Sequence, residues 1–182
     1  MSEINFISKL GSSASKIKVV DNIFQKVHFL QNEDEHLAIK EGIKLLHENM
    51  PESVHCPSKI IYEKDIKDPE KCKIYYEQKK LSPWIEAYWI TGQQLYNLGL
   101  TVLNQQKILF QKNLCLVDAR PSNYWLGQNI GKLVDLASIK PIIKQNLLSF
   151  ETDFLKNFIF PLILEKELNI PVGLYFKGNL NS

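Results

Sequence analysis

The sequence predicts an α+β protein in which an antiparallel-sheet half, residues 1–80, precedes a smaller, mainly helical half, residues 81–182. Three observations lead there. Strand-like runs come in pairs separated by short polar turns before residue 80. One capped helix lies between those pairs. Beyond residue 81 the apolar residues recur mostly at helical spacing. A chain of 182 residues suits one domain, or two lobes sharing a cleft, and is long enough to bury a sizeable core. Hydrophobic residues make up 45% and charged residues 23% of the chain, a balance typical of a folded globular protein.

Residues 16–30, KIKVVDNIFQKVHFL, hold two β-rich runs around Asp21-Asn22, a pair suited to the tight turn of a hairpin. The preceding LGSSAS run is either a loop that a ligand approaches closely or a plain connector. Asn32 is placed to cap a helix whose first turn carries Glu33, Asp34 and Glu35, charges that favour the positive end of the helix dipole. Leu37, Ile39, Ile43, Leu45 and Leu46 supply its apolar faces, and Pro51 should stop it. Residues 59–64 and 73–79 then read as strands joined by the polar IKDPEK segment.

After Leu81-Ser82-Pro83, residues 88–111 read as one major helix with Leu95, Leu98, Val102, Leu103, Ile108 and Leu109 available to a core. Residues 114–117 form an apolar strand-like run. Short strands at 124–126 and 132–134 follow, joined by a Gly127-Gln128-Asn129 turn. The last 40 or so residues read as mainly helical, with Phe150, Phe154, Phe158 and Leu162 four apart. No internal repeat or low-complexity tract interrupts the chain.

Several function classes are disfavoured at once. Net charge is +2, with 22 basic residues interleaved among 20 acidic ones, so no nucleic-acid patch is signalled. Apolar runs stay far below the ~20 residues of a membrane helix, and the N-terminus lacks the apolar core of a signal peptide. Cys56, Cys72 and Cys115 are odd in number and far apart, which favours reduced thiols and a cytoplasmic location. His28, His36, His47 and His55 show no metal-ligand spacing. Trp84, Tyr88 and Trp89 serve either a ligand pocket near residue 83 or packing between the halves, with packing the simpler reading.

The chemistry concentrates in LCLVDARPSNYWLGQNIGKLVDLAS, where Asn123 follows Asp118 by five positions and Asp135 follows Asn123 by twelve. Phosphoryl transfer needs a carboxylate to orient or deprotonate the attacking hydroxyl, an amide to hold magnesium, and a carboxylate to hold the metal bridging the phosphates. A loop with Asp and Asn five apart, then a hairpin ending in Asp, brings all three to one mouth. An Asp and Asn at this spacing also occur by chance, as turn or capping residues.

These residues resemble the protein-kinase-like superfamily, including its small bacterial phosphotransferases. Asp118 resembles the catalytic-loop aspartate, Asn123 its metal-binding asparagine and Asp135 the aspartate of the D-F-G element, with Arg120 at an often basic position of that loop. Lys26, in FQKVHF, resembles the lysine that contacts the α and β phosphates, and Glu41, in KEGIKLL, its ion-pair partner. Gly11, Ser12 and Ser13 are the candidates for a loop over the cofactor. The resemblance implies a minimal protein-kinase-like fold with an antiparallel-sheet N-lobe and a small, mainly helical C-lobe. It also implies ATP and Mg2+ as cofactors, and phosphotransfer to a small-molecule or glycan hydroxyl.

The chain departs from that pattern at Leu116 and Val117, where histidine and arginine are expected. Leu136-Ala137 stands in place of Phe-Gly, and no G-x-G-x-x-G series is present. These departures imply the alternative of a catalytically inactive pseudokinase or substrate-binding module that partners a separate modification enzyme. Residues 81–176, through TVLNQQKILFQKNLCLVDARPSNYWL, VDLAS and FLKNFIFPLIL, are also similar to the region preceding the catalytic domain in some bacterial class I S-adenosylmethionine-dependent methyltransferases. The chain stops where that domain begins in those proteins. Without a glycine-rich methyl-donor loop, methyl transfer itself is not implied.

Overall fold

A computed structural model describes residues 15–30, 32–64, 72–83, 85–127 and 130–179. Gly11, Ser12, Ser13, Trp84 and the Gln128-Asn129 turn lie outside the described residues. The architecture is α+β. Strands β1 (Ser15–Val20) and β2 (Ile23–Leu30) form the expected hairpin, with Val20 opposite Ile23. Asp21 takes the left-handed conformation at φ 53°, which aspartate tolerates and a two-residue hairpin turn requires. β4 (Cys72–Lys79) pairs antiparallel with β2, and β3 (Lys59–Lys64) with β4, giving a four-stranded sheet in the order β1-β2-β4-β3.

Side chains alternate across a strand, so one sheet face carries Lys26, His28 and Leu30 of β2 with Cys72, Ile74, Tyr76 and Gln78 of β4, all buried. β3, at the sheet edge, is largely exposed.

Helix α1 (Glu33–Asn49) starts where Asn32 Oδ1 accepts from the Glu35 amide at 3.1 Å, with acids filling the first turn, and ends just before Pro51. Its buried stripe is Glu35, Ala38, Ile39, Gly42, Ile43 and Leu46. Leu37, expected on an apolar face, is 49% exposed. After α1 the chain crosses to the second half. Val54 forms a parallel bridge with Leu133, and the His55 amide donates to the Leu133 carbonyl at 2.9 Å.

The major helix of the second half begins later than its apolar spacing suggests. Residues Ala87–Trp89 form a separate 3-10 turn, and Thr91 caps α2 (Gly92–Phe110) in a reciprocal capping box with Gln94. The cap decides the start, because the Thr91–Gln94 box satisfies two first-turn amides of a helix begun at residue 92. β5 (Leu114–Leu116), β6 (Tyr124–Leu126) and β7 (Gly131–Leu133) follow, with β6 and β7 paired. β8 (Ile139–Pro141), not anticipated from the sequence, pairs with β5.

Helix α3 (Lys144–Phe154) continues through a π turn, Leu155–Ile159, into α4 (Phe160–Leu168), and α5 (Val172–Asn179) closes the described chain. The four-residue aromatic spacing becomes a stack, with Phe150–Phe154 and Phe154–Phe158 centroids 5.7 and 5.0 Å apart. Helix α1 packs against β8 and α2, so the core runs continuously from the sheet into the helical half. Among the described residues, no helix is long and apolar enough to cross a membrane.

Candidate functional site

The expected Asp–Asn–Asp spacing closes into one structure. Following β5, Asp118 begins a loop whose turn at residues Pro121–Asn123 is held by the Asn123 amide donating to the Arg120 carbonyl at 3.0 Å. Asn123 Nδ2 reaches back five residues to the Asp118 carbonyl at 2.8 Å. Its own carbonyl accepts from the amides of Val134 at 2.9 Å and Asp135 at 3.4 Å. Asn123 therefore ties the Asp118 loop to the Asp135 strand end. Among the described residues no hydrogen bond engages its Oδ1.

The Asp118 carboxyl is pushed above the usual range. Burial is the main cause; Arg120 and a hydrogen bond from Asn123 pull it down, and Asp153 and Asp135 push it further up. Arg120 Nε lies 2.6 Å from Asp118 Oδ1. That oxygen has no hydrogen bond of good geometry, so the contact is one of charge, with the N–H aimed elsewhere. Arg120 Nη2 is also 3.7 Å from Asp153 Oδ2. Beneath the loop Tyr124 is buried and its phenol is held protonated, chiefly by burial and further by the charges of Asp118 and Asp135. Its hydroxyl donates to Gln105 Oε1 at 2.7 Å, and Gln105 Nε2 donates to the Ser53 carbonyl at 2.6 Å. The floor of the site is thus fixed to α2 and to the Pro51–Ser53 turn that follows α1.

The sheet supplies the other wall. Lys26, 8% exposed, donates from Nζ to the Val134 carbonyl at 2.7 Å, one residue before Asp135. Burial lowers its pKa to about 8, opposed in part by the Asp135 charge. His28, two residues along the same strand face, shares a 2.7 Å hydrogen bond with Tyr76 and lies 3.9 Å from Asp135 Oδ1. Burial lowers His28 to about 4, more than Asp135 raises it, and Lys26 and Lys140 lower it further. The imidazole is therefore neutral at pH 7. Tyr76 is directly opposite Lys26 across β2 and β4, and its hydroxyl is engaged by the Leu136 backbone. Lys26 and Tyr76 together dock residues 134–136 onto the sheet.

Lys26, Asp118, Arg120, Asn123 and Asp135 are thus linked by direct contacts or mutual charge effects. Glu41 is not part of that group. It sits on the exposed side of α1, and the expected ion pair with Lys26 is replaced by the Val134 carbonyl and the Asp135 charge. The phase of α1 explains this. Its buried stripe includes residues 35, 39 and 42, which turns residue 41 outward. The buried acid of this helix is Glu35, whose Oε2 is 3.0 Å from Lys140 Nζ on β8.

The structure adds His28, Tyr76 and Asp153 to the candidate site. Period-two alternation from Lys26 points to His28, whereas Tyr76 and Asp153 carry no local signal.

The donors present suit a hard cation. Asn123 Oδ1 and the Asp135 carboxylate, whose side chain is 33% exposed, are oxygens of the kind magnesium takes from protein, leaving other positions for phosphate and water. Among the described residues, no cluster of three or more His, Cys, Asp or Glu residues is arranged to hold a metal alone. A groove of about 470 Å³ lies over the sheet, lined by residues including Lys18, Gln25, Val27, Lys59 and Tyr75. Asp118, Asn123 and Asp135 do not line it. Comparison with models of known protein families and with curated proteins finds no match to the chain.

Proposed function

We propose that the chain is an ATP- and magnesium-dependent phosphotransferase of minimal protein-kinase-like fold, acting on a small-molecule or glycan hydroxyl. The observation that carries this reading is the linkage of Lys26, Asp118, Asn123 and Asp135 through the Val134 carbonyl and the Asn123 hydrogen bonds. Asn123 Oδ1 and Asp135 would hold the metal, which when bound neutralises phosphate charge during transfer. Lys26, cationic below about pH 8, would place a positive charge beside the phosphates. Asp118, with a carboxyl raised by burial, would accept or orient the proton of the acceptor hydroxyl.

A thermal-shift titration with ATP, with and without MgCl2, tests the reading, because a ligand that binds only the folded state raises its apparent stability. The expected result is a magnesium-dependent rise in Tm. Asp135→Ala should remove the magnesium dependence, while Asp118→Ala should keep ATP binding and lose ADP release. No shift at millimolar ATP in a folded sample would sink the proposal.

One contact favours a second reading, a catalytically inactive nucleotide-binding module that partners a separate modification enzyme. Arg120 Nε sits on the Asp118 carboxylate, which opposes proton acceptance there. ATP binding without ADP release, unchanged in Arg120→Ala, would favour the inactive module over the phosphotransferase.

A further inference from the structure

Helix α2 is apolar on two sides. One side, with Leu95, Leu98, Val102 and Leu109, is buried in the core. The opposite side carries Tyr96, Leu100, Leu103 and Phe110, each between 43 and 52% exposed. With the exposed Gln93 and Lys107, these residues recur at alternating intervals of three and four, the seam spacing of paired helices. The 19 residues of α2 contain no Asp or Glu, and Lys107 is their only charge. A surface helix ordinarily turns charged residues to water. This one presents a largely apolar line about 21 Å long, from Tyr96 to Phe110.

We propose that this face of α2 is a self-association surface, on which two copies of the chain pair their α2 helices antiparallel about a two-fold axis. The order of residues along the seam argues for a second copy as the occupant. With the axis between Leu100 and Leu103, each Leu100 meets Leu103 of the second copy, each Tyr96 meets Lys107, and each Gln93 meets Phe110. The central layers are wholly apolar. Each lysine faces an aromatic ring, a favourable cation–π arrangement, instead of another lysine. Asn97 and Asn104, both exposed, flank the seam with neutral amides, so no like charges oppose one another. A closed two-fold pair satisfies both faces with one patch.

Four large side chains about half exposed leave roughly 400 Å² of surface per copy. That is below the ~800 Å² per partner of a standard interface, so the pair is weak and concentration-dependent.

Sedimentation velocity from micromolar to millimolar chain concentration tests this, with circular dichroism to confirm that each variant is folded. The native chain should pass from monomer to dimer within that range. Leu103→Lys should raise the dissociation constant at least tenfold. Tyr96→Glu separates the orientations. In the antiparallel pair the new acid meets Lys107 and dimerisation is kept or strengthened, whereas in a parallel pair two acids would face each other. A native chain that stays monomeric at millimolar concentration overturns the proposal, as does a dimer indifferent to Leu103→Lys or abolished by Tyr96→Glu. Binding of a monomeric chain to phosphatidylcholine–phosphatidylglycerol vesicles, lost in Leu103→Lys, would assign the face to a lipid surface and overturn it equally.

Discussion

Lys26 shows how one residue couples stability to the candidate site. Its ammonium is withdrawn from water and compensated by one backbone carbonyl and a nearby carboxylate. Burial outweighs both, and the folded-state pKa falls from 10.5 to about 8. Between about pH 8 and 10.5 the unfolded chain binds a proton that the folded chain does not, so this group's contribution to stability rises with pH across that window. Below about pH 8 the burial penalty is present in full. The total is roughly 3 kcal/mol.

Denaturant titrations of the native chain and Lys26→Met at pH 7, 8, 9 and 10 should show the native chain gaining on the variant as pH rises. Equal pH dependence in the two proteins would refute the assignment. Tyr76, raised well above its ordinary 10, acts in the opposite sense above pH 10. Because it remains in both proteins, the difference isolates Lys26.

Among the elements, α1 is positioned by what it touches more than by its intrinsic preference. Gly42 lies on its buried stripe, where an added Cβ would meet Ile139 Cγ2 of β8 at 2.5 Å. Glycine to alanine in a helix interior normally stabilises by about 1 kcal/mol. Here the clash is with a branched side chain that is itself fully buried and has little room to yield. Gly42→Ala should therefore destabilise the chain by about 1–3 kcal/mol, read as a lower midpoint in urea. A variant as stable as the native chain or more so would mean that α1 and β8 are not in close contact.

At the scale of the molecule, the sheet and the helical half are joined by several independent connections. Val54 and His55 pair with Leu133, and Lys26 holds the Val134 carbonyl. Helix α1 packs on β8 and α2. Connections this distributed should make the two halves unfold together. In a chain carrying Trp84→Phe and Trp89→Phe, fluorescence of Trp125, on the β6–β7 hairpin whose Leu133 meets Val54 and His55, reports the junction, and far-ultraviolet dichroism reports the helices. The two urea transitions should coincide. Loss of the Trp125 signal ahead of the helical signal would show that the halves separate first.

Local chemistry made much of this legible in advance. The Asp21-Asn22 turn, the Asn32 cap, the strand alternation of residues 23–30 and the Asp118–Asn123–Asp135 spacing are written into short stretches of chain, because turns, caps and period-two patterns depend on near neighbours. Tertiary packing decided the rest. It set the rotational phase of α1, which turned Glu41 to solvent and buried Glu35 against Lys140. It paired β8 with β5, a three-residue partnership too short to stand out in sequence. It also brought His28 and Tyr76 to Asp135 across more than fifty residues of chain. Side chains distant in sequence acquire their partners only when burial fixes which faces meet, and that depends on the whole core.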